Sequence, residues 1–150
     1  MMTSLVMRVP IIRLDPDLPL PSYAHDGDAG ADLRARTDVV LAAGGGRSLV
    51  PTGVALALPA GHAGFVQPRS GLALRHGVTC LNSPGLIDSG YRDELQVLLV
   101  NLDPDDDYRV SRGDRIAQLV IQRVERAWFA PADTLPGAVR AQGGFGSSGR

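Results

Sequence analysis

The stretch "SLVPTGVALALP" (Ser48–Pro59) sets the reading of the fold. It is one run of apolar and branched side chains, of the kind that pack well on a pleated surface. The same rhythm continues outward in both directions. Toward the N-terminus lie "DVVLA" (Asp38–Ala42), "DLRAR" (Asp32–Arg36) and "LVMRV" (Leu5–Val9). Toward the C-terminus lie "GFVQP" (Gly64–Pro68), "GVTCLN" (Gly77–Asn82), "ELQVLLVNL" (Glu94–Leu102), "YRV" (Tyr108–Val110) and "RIAQLVIQRV" (Arg115–Val124). Gly, Pro and Asp separate these runs, which predicts many short strands. One helical turn is expected, at "SGLALRHG" (Ser70–Gly77), and the Gly44–Gly46 run reads as a surface hairpin. The architecture expected is all-β, a sandwich or jelly roll.

With 150 residues, 44% hydrophobic content and a net charge of -1, the chain has the make-up of one globular domain. The charge balance lacks the basic excess of a protein that tracks a nucleic-acid backbone, so no nucleic-acid polymer is expected as partner. All 15 basic residues are Arg. Genome bias is the plainer explanation, ahead of a need for planar, bidentate phosphate recognition. A single cysteine, Cys80, leaves no disulfide framework. The opening "MMTSLVMRVPIIRLDP" is interrupted by Arg8, Pro10 and Arg13, and no apolar run reaches membrane-spanning length. A soluble, cytoplasmic protein without a membrane partner is expected.

Chemistry is expected in four polar segments embedded among turn glycines. In "DGDAGADLRA", Asp26 and Asp28 fit turn chemistry, whereas Asp32 falls inside the strand-like run. In "QPRSGLALRHG", Arg69, the Ser70 hydroxyl and the N–H groups of Ser70 and Gly71 make a compact set of anion donors, though an N-cap beside a surface Arg gives the same string. In "LNSPGLIDSGYRDELQVLLVN", a hairpin edge and Asn82 are suited to the rim of a planar base. Asp88 there is placed to accept a proton from water and Tyr91 to lie against a sugar, with an Asx turn and a half-buried core aromatic as the plain alternatives. In "SRGDRIAQLVIQRV", the tripeptide Arg112-Gly113-Asp114 invites an adhesion reading, but a turn with ion pairs fits its run into a strand better. Gln118 in that strand needs a buried partner. His25, His62 and His76 are scattered, and no spacing matches a protein metal cage, so a metal would arrive with a phosphate ligand.

After "WFAPADTLPGAVR" the apolar pattern stops and "GGFGSSGR" (Gly143–Arg150) begins. Ordering such a segment costs about 1–2 kcal/mol per residue, and burying one Phe returns only about 1.5–3 kcal/mol. Alone it should not fold. The expected division is a β body over residues 1–136 and a flexible glycine-rich arm over residues 137–150.

Taken in order, "DAGADLRA", "PRSGLALRHG", "GLIDSGYRDE", "RGDRIAQLVI" and "GGFGSSG" resemble the five motifs of the dUTPase family, the homotrimeric deoxyuridine triphosphate nucleotidohydrolases. The resemblance implies a jelly-roll-like subunit, active sites at subunit interfaces of a homotrimer, Mg²⁺, and hydrolysis of dUTP to dUMP and pyrophosphate. It implies that Asp88 is the general base and that Asp32 organises the metal indirectly, through water. Arg69, Ser70, Gly71 and Gln118 match the phosphate contacts. Asn82, Leu86, Ile87 and Asp88 match the uracil-reading hairpin, and Tyr91 the platform under the deoxyribose. Gln96 stands near the site where relatives carry Lys. Arg140 and Phe145 match the arm residues that clamp phosphate and cover the base, and Ser147 and Ser148 add phosphate contacts. Ala141 stands where many members have Gly. The dCTP deaminases are similar in fold but place a catalytic Glu where this chain has Leu98, which cannot shuttle a proton. A trimeric module that binds nucleotide without cleaving it is the alternative from another class.

Overall fold

In the computed structural model, residues 6–138, 142–146 and 148–149 are described. Eleven strands and one helix follow in the order β1 (Ile11–Arg13), β2 (Ala31–Arg34), β3 (Val39–Leu41), β4 (Arg47–Pro51), β5 (Val54–Leu56), β6 (His62–Gln67), α1 (Ser70–His76), β7 (Val78–Cys80), β8 (Gly85–Ile87), β9 (Gln96–Asn101), β10 (Tyr108–Val110) and β11 (Arg115–Arg123). All pairings are antiparallel. They form one four-stranded sheet, β2-β11-β6-β8, one three-stranded sheet, β4-β9-β7, and the pairs β1-β5 and β10-β3. The chain is mostly β, as its patterning predicts.

Alternation explains the core. Along β9, Val97 and Leu99 are buried while Gln96 is exposed and Leu98 only partly covered. They meet Leu33, Leu41, Val50, Val78, Val110 and Ile116 from the other strands. Each such side chain contributes roughly 1.5–3 kcal/mol on burial. In β11 the register against β2 shifts between Arg115 and Ala117. Both Ile116 and Ala117 therefore face inward, and Gln118 is brought opposite Asp32. Asn101 ends β9 fully buried, yet its amide is satisfied: Nδ2 donates to the carbonyls of Leu41 (3.1 Å) and Asp106 (2.9 Å), and Oδ1 accepts from the Asp103 N–H (3.0 Å).

Three expectations are corrected. Val6–Val9 of "LVMRV" form no strand; the first strand begins after Pro10, at Ile11, and Leu5 lies outside the described residues. The run Ser48–Pro59 yields two strands in different sheets, β4 and β5, broken where Gly53 takes φ 77°. Gly44–Gly46 is a turn but not a hairpin, because β3 pairs with β10 and β4 with β9. Two of its N–H groups are captured by another chain segment, Gly44 by the Asp103 carbonyl and Gly45 by that of Asn101, both at 2.7 Å, while Gly46 donates to the Ala42 carbonyl at 3.0 Å. The helical turn forms where expected, and Gly77 closes it at φ 64° with its N–H on the Ala73 carbonyl.

Candidate active site

Asp32, Gln118 and Gln67 lie side by side across β2, β11 and β6. Two residues after Gln67 the chain reaches Arg69 and enters α1, so the end of β6 delivers Arg69, Ser70 and Gly71 beside Asp32. The Arg69 Nε is 3.8 Å from Asp32 Oδ1, and Arg69 Nη1 donates to the Arg115 carbonyl at 3.1 Å. The Arg115 Nη1 is 3.5 Å from Asp32 Oδ2. Asp32 is only 7% exposed, and its Oδ1 is buried without a hydrogen-bond partner among the described residues. A buried carboxylate oxygen left open among cations is available to an ordered water or a hydrated cation. Among the described residues, no three His, Cys, Asp or Glu side chains converge on a common point.

Arg69 precedes α1 with extended backbone (φ -95°, ψ 125°) and no side-chain cap. The exposed Ser70 hydroxyl and the first-turn N–H groups are thus open to an anion. Gly71 has one neighbour that a side chain would meet, the flexible end of Arg75, whose Nη2 would lie 2.7 Å from a Cβ and can swing aside. Gly30 has a steric reason, since its Cβ would press within 2.9 Å of Gln118 Cβ. Arg75 and Arg115 were not among the candidate residues. No local signal marks either: Gly71 offers no side chain to pair with Arg75 at i, i+4, and the proximity of Arg115 to Asp32 depends on strand pairing.

A second group forms on β7 and β8. The Ser83 hydroxyl donates to the Cys80 carbonyl at 2.5 Å inside the connecting turn. The Asn82 amide folds over Gly85, where a Cβ would stand 3.3 Å from its Nδ2. In β8, Leu86 is exposed and Ile87 buried. Among the described residues β8 pairs with β6 alone, so its other edge has no strand beside it. Asp88 follows, exposed, in a turn closed by the backbone, with the Tyr91 N–H on the Asp88 carbonyl at 3.1 Å. Tyr91 is partly exposed, and its hydroxyl donates to the Glu94 carbonyl at 3.0 Å. Gln96 is exposed at the start of β9.

Within one chain the two groups stay apart. Ile87 pairs with Gly64, which puts Asp88 level with Ala63, whereas Arg69 lies beyond the opposite end of β6. Six residues at a strand's rise separate them by about 20 Å. Phe145 is fully exposed with φ 47°, and Ser148 is exposed. Arg140, Ala141 and Ser147 lie outside the described residues.

The tripeptide at Arg112 forms a turn with ion pairs. Its guanidinium holds both Asp15 oxygens and donates to the Arg36 carbonyl at 2.9 Å. The Arg112 N–H bonds Asp38 Oδ1 at 2.7 Å, and the Ser111 N–H bonds Asp114 Oδ2 at 2.8 Å. The side-chain hydrogen bonds from the Arg112 guanidinium hold the Asp15 carboxyl down at about 2. Asp28 likewise serves its own turn, accepting the His25 N–H at 2.9 Å. Burial pushes the Cys80 thiol up to about 11, so the lone cysteine is chemically quiet.

The dUTPase family model matches residues 17–149, spanning both groups and most of the glycine-rich C-terminal segment. The chain belongs to the dUTPase family. A deoxyuridine 5′-triphosphate nucleotidohydrolase of Thermobifida fusca (strain YX) is 62% identical over 143 residues, 95% of this chain and 79% of that protein. The nucleotidohydrolase of Corynebacterium glutamicum is 54% identical over 142 residues, 95% of each chain. Among solved structures, a mutant dUTPase of Staphylococcus bacteriophage 80alpha bound to dUpNHpp superposes with a TM-score of 0.89 at 26% identity, over 97% of this chain and 100% of that one. A mutant dUTPase of phage phi11 of S. aureus, whose structure describes the coordination of a structural Mg(II) ion, has a TM-score of 0.78 at 23% identity, over 87% of this chain and 100% of that one. No described helix of this dUTPase is long and apolar enough to cross a membrane.

Proposed function

We propose that this chain hydrolyses dUTP to dUMP and pyrophosphate, with a water activated by Asp88 attacking the α-phosphorus, and so supplies dUMP and keeps uracil out of DNA. The observation that carries the reading is β8: a strand edge without a partner among the described residues, flanked by Asn82 and followed directly by the exposed Asp88 carboxyl group. A uracil placed along that edge meets the backbone donors and acceptors that β8 turns away from β6, and the close backbone leaves no room for a thymine methyl. Cytosine, with donor and acceptor exchanged, would leave buried groups unpaired. Tyr91 beneath the sugar excludes a 2′-hydroxyl.

Arg69, Ser70, Gly71 and Gln118 take the phosphates, joined from the arm by Arg140, Ser147 and Ser148, with Phe145 over the base. These contacts offset the cost of ordering residues 137–150, which serve as a lid on the body of residues 1–136. Mg²⁺ carried on the triphosphate supplies charge neutralisation at the reacting phosphate. Asp32, with its unpartnered Oδ1, fits a role in holding that ion's waters. Positioning and electrostatics then carry most of the rate enhancement.

A homotrimer of jelly-roll-like subunits with shared sites fits two features. One is the separation of Asp88 from Arg69, which a neighbouring subunit would bridge. The other is the segment after β11, where Trp128 (87%) and Phe129 (88%) stand in solvent, while an apolar groove of about 500 Å³ lies open between Met7, Tyr23, Leu119 and Ile121. A cytoplasmic location accords with the single, buried, unreactive cysteine. The test is incubation with a panel of deoxynucleoside triphosphates and Mg²⁺: pyrophosphate from dUTP is expected, and ammonia from dCTP or no product would overturn the assignment.

A further inference from the structure

Arg36 and Glu94 lie outside every group described for the phosphates or the base, yet they are joined to Tyr91 by a continuous set of bonds. The Tyr91 hydroxyl donates to the Glu94 backbone carbonyl at 3.0 Å. The Glu94 carboxylate, whose side chain is only 13% exposed, receives Arg36 Nη1 at 2.5 Å. Arg36 is itself fixed. Its N–H bonds the Pro51 carbonyl at 2.8 Å, its Nη2 bonds the Leu14 carbonyl at 3.2 Å, and its Nε lies 3.6 Å from the Asp15 carboxylate. Arg112 closes the frame by holding both Asp15 and the Arg36 carbonyl.

Immediately after Glu94 the chain is locked again. The Leu95 N–H bonds the Val54 carbonyl at 2.8 Å, and the Leu95 carbonyl accepts both the Thr52 N–H (3.1 Å) and the Thr52 hydroxyl (2.7 Å). Between Asp88 and Glu94, by contrast, the long-range anchoring comes through Glu94, while the other bonds are local: Arg92 Nη1 to the carbonyls of Ser89 (2.6 Å) and Tyr91 (2.9 Å), and the Glu94 N–H to Asp93 Oδ1 (2.7 Å). Local bonds shape a loop; they do not place it on the body. A charged bond from a half-exposed Arg to a largely buried carboxylate does.

We propose that Glu94, held by Arg36, is a positioning residue that fixes the Tyr91 ring and thereby sets the preference for deoxyribose over ribose. The inference rests on the dUTP reading above, and it concerns selectivity rather than the chemical step. An aromatic platform that shifts by a fraction of an ångström admits a 2′-hydroxyl without losing its hold on the deoxy sugar, so the ribonucleotide gains more than the deoxyribonucleotide loses.

The experiment measures kcat/KM for dUTP and for UTP in the full chain and in Glu94→Ala, Glu94→Gln, Arg36→Met and Tyr91→Phe. Glu94→Ala and Arg36→Met are expected to lower the dUTP-to-UTP preference by about tenfold, chiefly through a lower KM for UTP. Glu94→Gln, which keeps an oxygen for Arg36, should recover most of it. Tyr91→Phe, which opens the same bond from the other side, should match Glu94→Ala, and the double variant should be no worse than either alone. A folded Glu94→Ala with wild-type preference, or equal losses on both nucleotides, overturns the positioning role. Should Glu94→Ala fail to fold, Tyr91→Phe decides in the same way. Wild-type protein that releases no pyrophosphate from dUTP overturns the activity assignment and the positioning role with it; wild-type discrimination shared by every variant overturns the positioning role alone.

Discussion

Replacing Asp88 by Asn keeps the size of the side chain and removes its capacity to take a proton. Pyrophosphate release should fall by about 10²–10⁴-fold, while calorimetric binding of a non-hydrolysable dUTP analogue stays close to wild type; normal turnover would reject Asp88 as base. Gly30 gives a test of a different kind, because its absent side chain makes room for Gln118. Gly30→Ala forces Gln118 aside. A raised KM for dUTP with an intact circular dichroism spectrum is expected, and an unchanged KM would remove Gln118 from the phosphate contacts. Asp32 and Asp28 show how far single residues could be read from the chain itself. Both are Asp in one short polar segment, yet Asp28 accepts its own turn's N–H, whereas Asp32 is buried between Arg69 and Arg115. Position inside the strand-like run was the legible part. The flanking guanidinium groups were not, because Arg69 and Arg115 are near neighbours of Asp32 only once β2, β6 and β11 have paired.

The turn between β10 and β11 is an element whose role is mechanical. It ties the N-terminal loop at Asp15 to Arg36 through Arg112. Because Arg112 lowers the Asp15 carboxyl from 3.8 to about 2, the folded state favours its charged form. The resulting stabilisation is present in full above 3.8 and is lost as pH falls through about 2. Thermal melts of wild type and Asp15→Asn should therefore differ at neutral pH and converge across that acid interval; a constant difference would contradict the assignment. At the end of α1, Gly77 holds a left-handed conformation, and a Cβ would sit 2.9 Å from the Asp103 backbone nitrogen. Gly77→Ala should cost about 1–2 kcal/mol or more in chemical denaturation, since strain and close approach add.

At the scale of the molecule, about 20 Å of β6 divides the candidate site, and the apolar segment after β11 projects into solvent. If these side chains are covered in the proposed trimer, Trp128→Ser together with Phe129→Ser should give a monomer in sedimentation and abolish pyrophosphate release together; an assembly that persists would assign those side chains elsewhere. Local chemistry by itself determined the strand-rich class, the single helical turn with its closing glycine, and the polar segments that carry the candidate residues. These depend on periodicity and turn preference over a few neighbouring positions, so a linear chain displays them. Only the tertiary structure decided that Ser48–Pro59 feeds two different sheets, that Arg112 clasps a carboxylate 97 positions away, and that Asp88 and Arg69 lie near opposite ends of β6. Strand pairing and charge pairing are contacts between distant segments, chosen by which faces bury together, and that choice leaves no local trace.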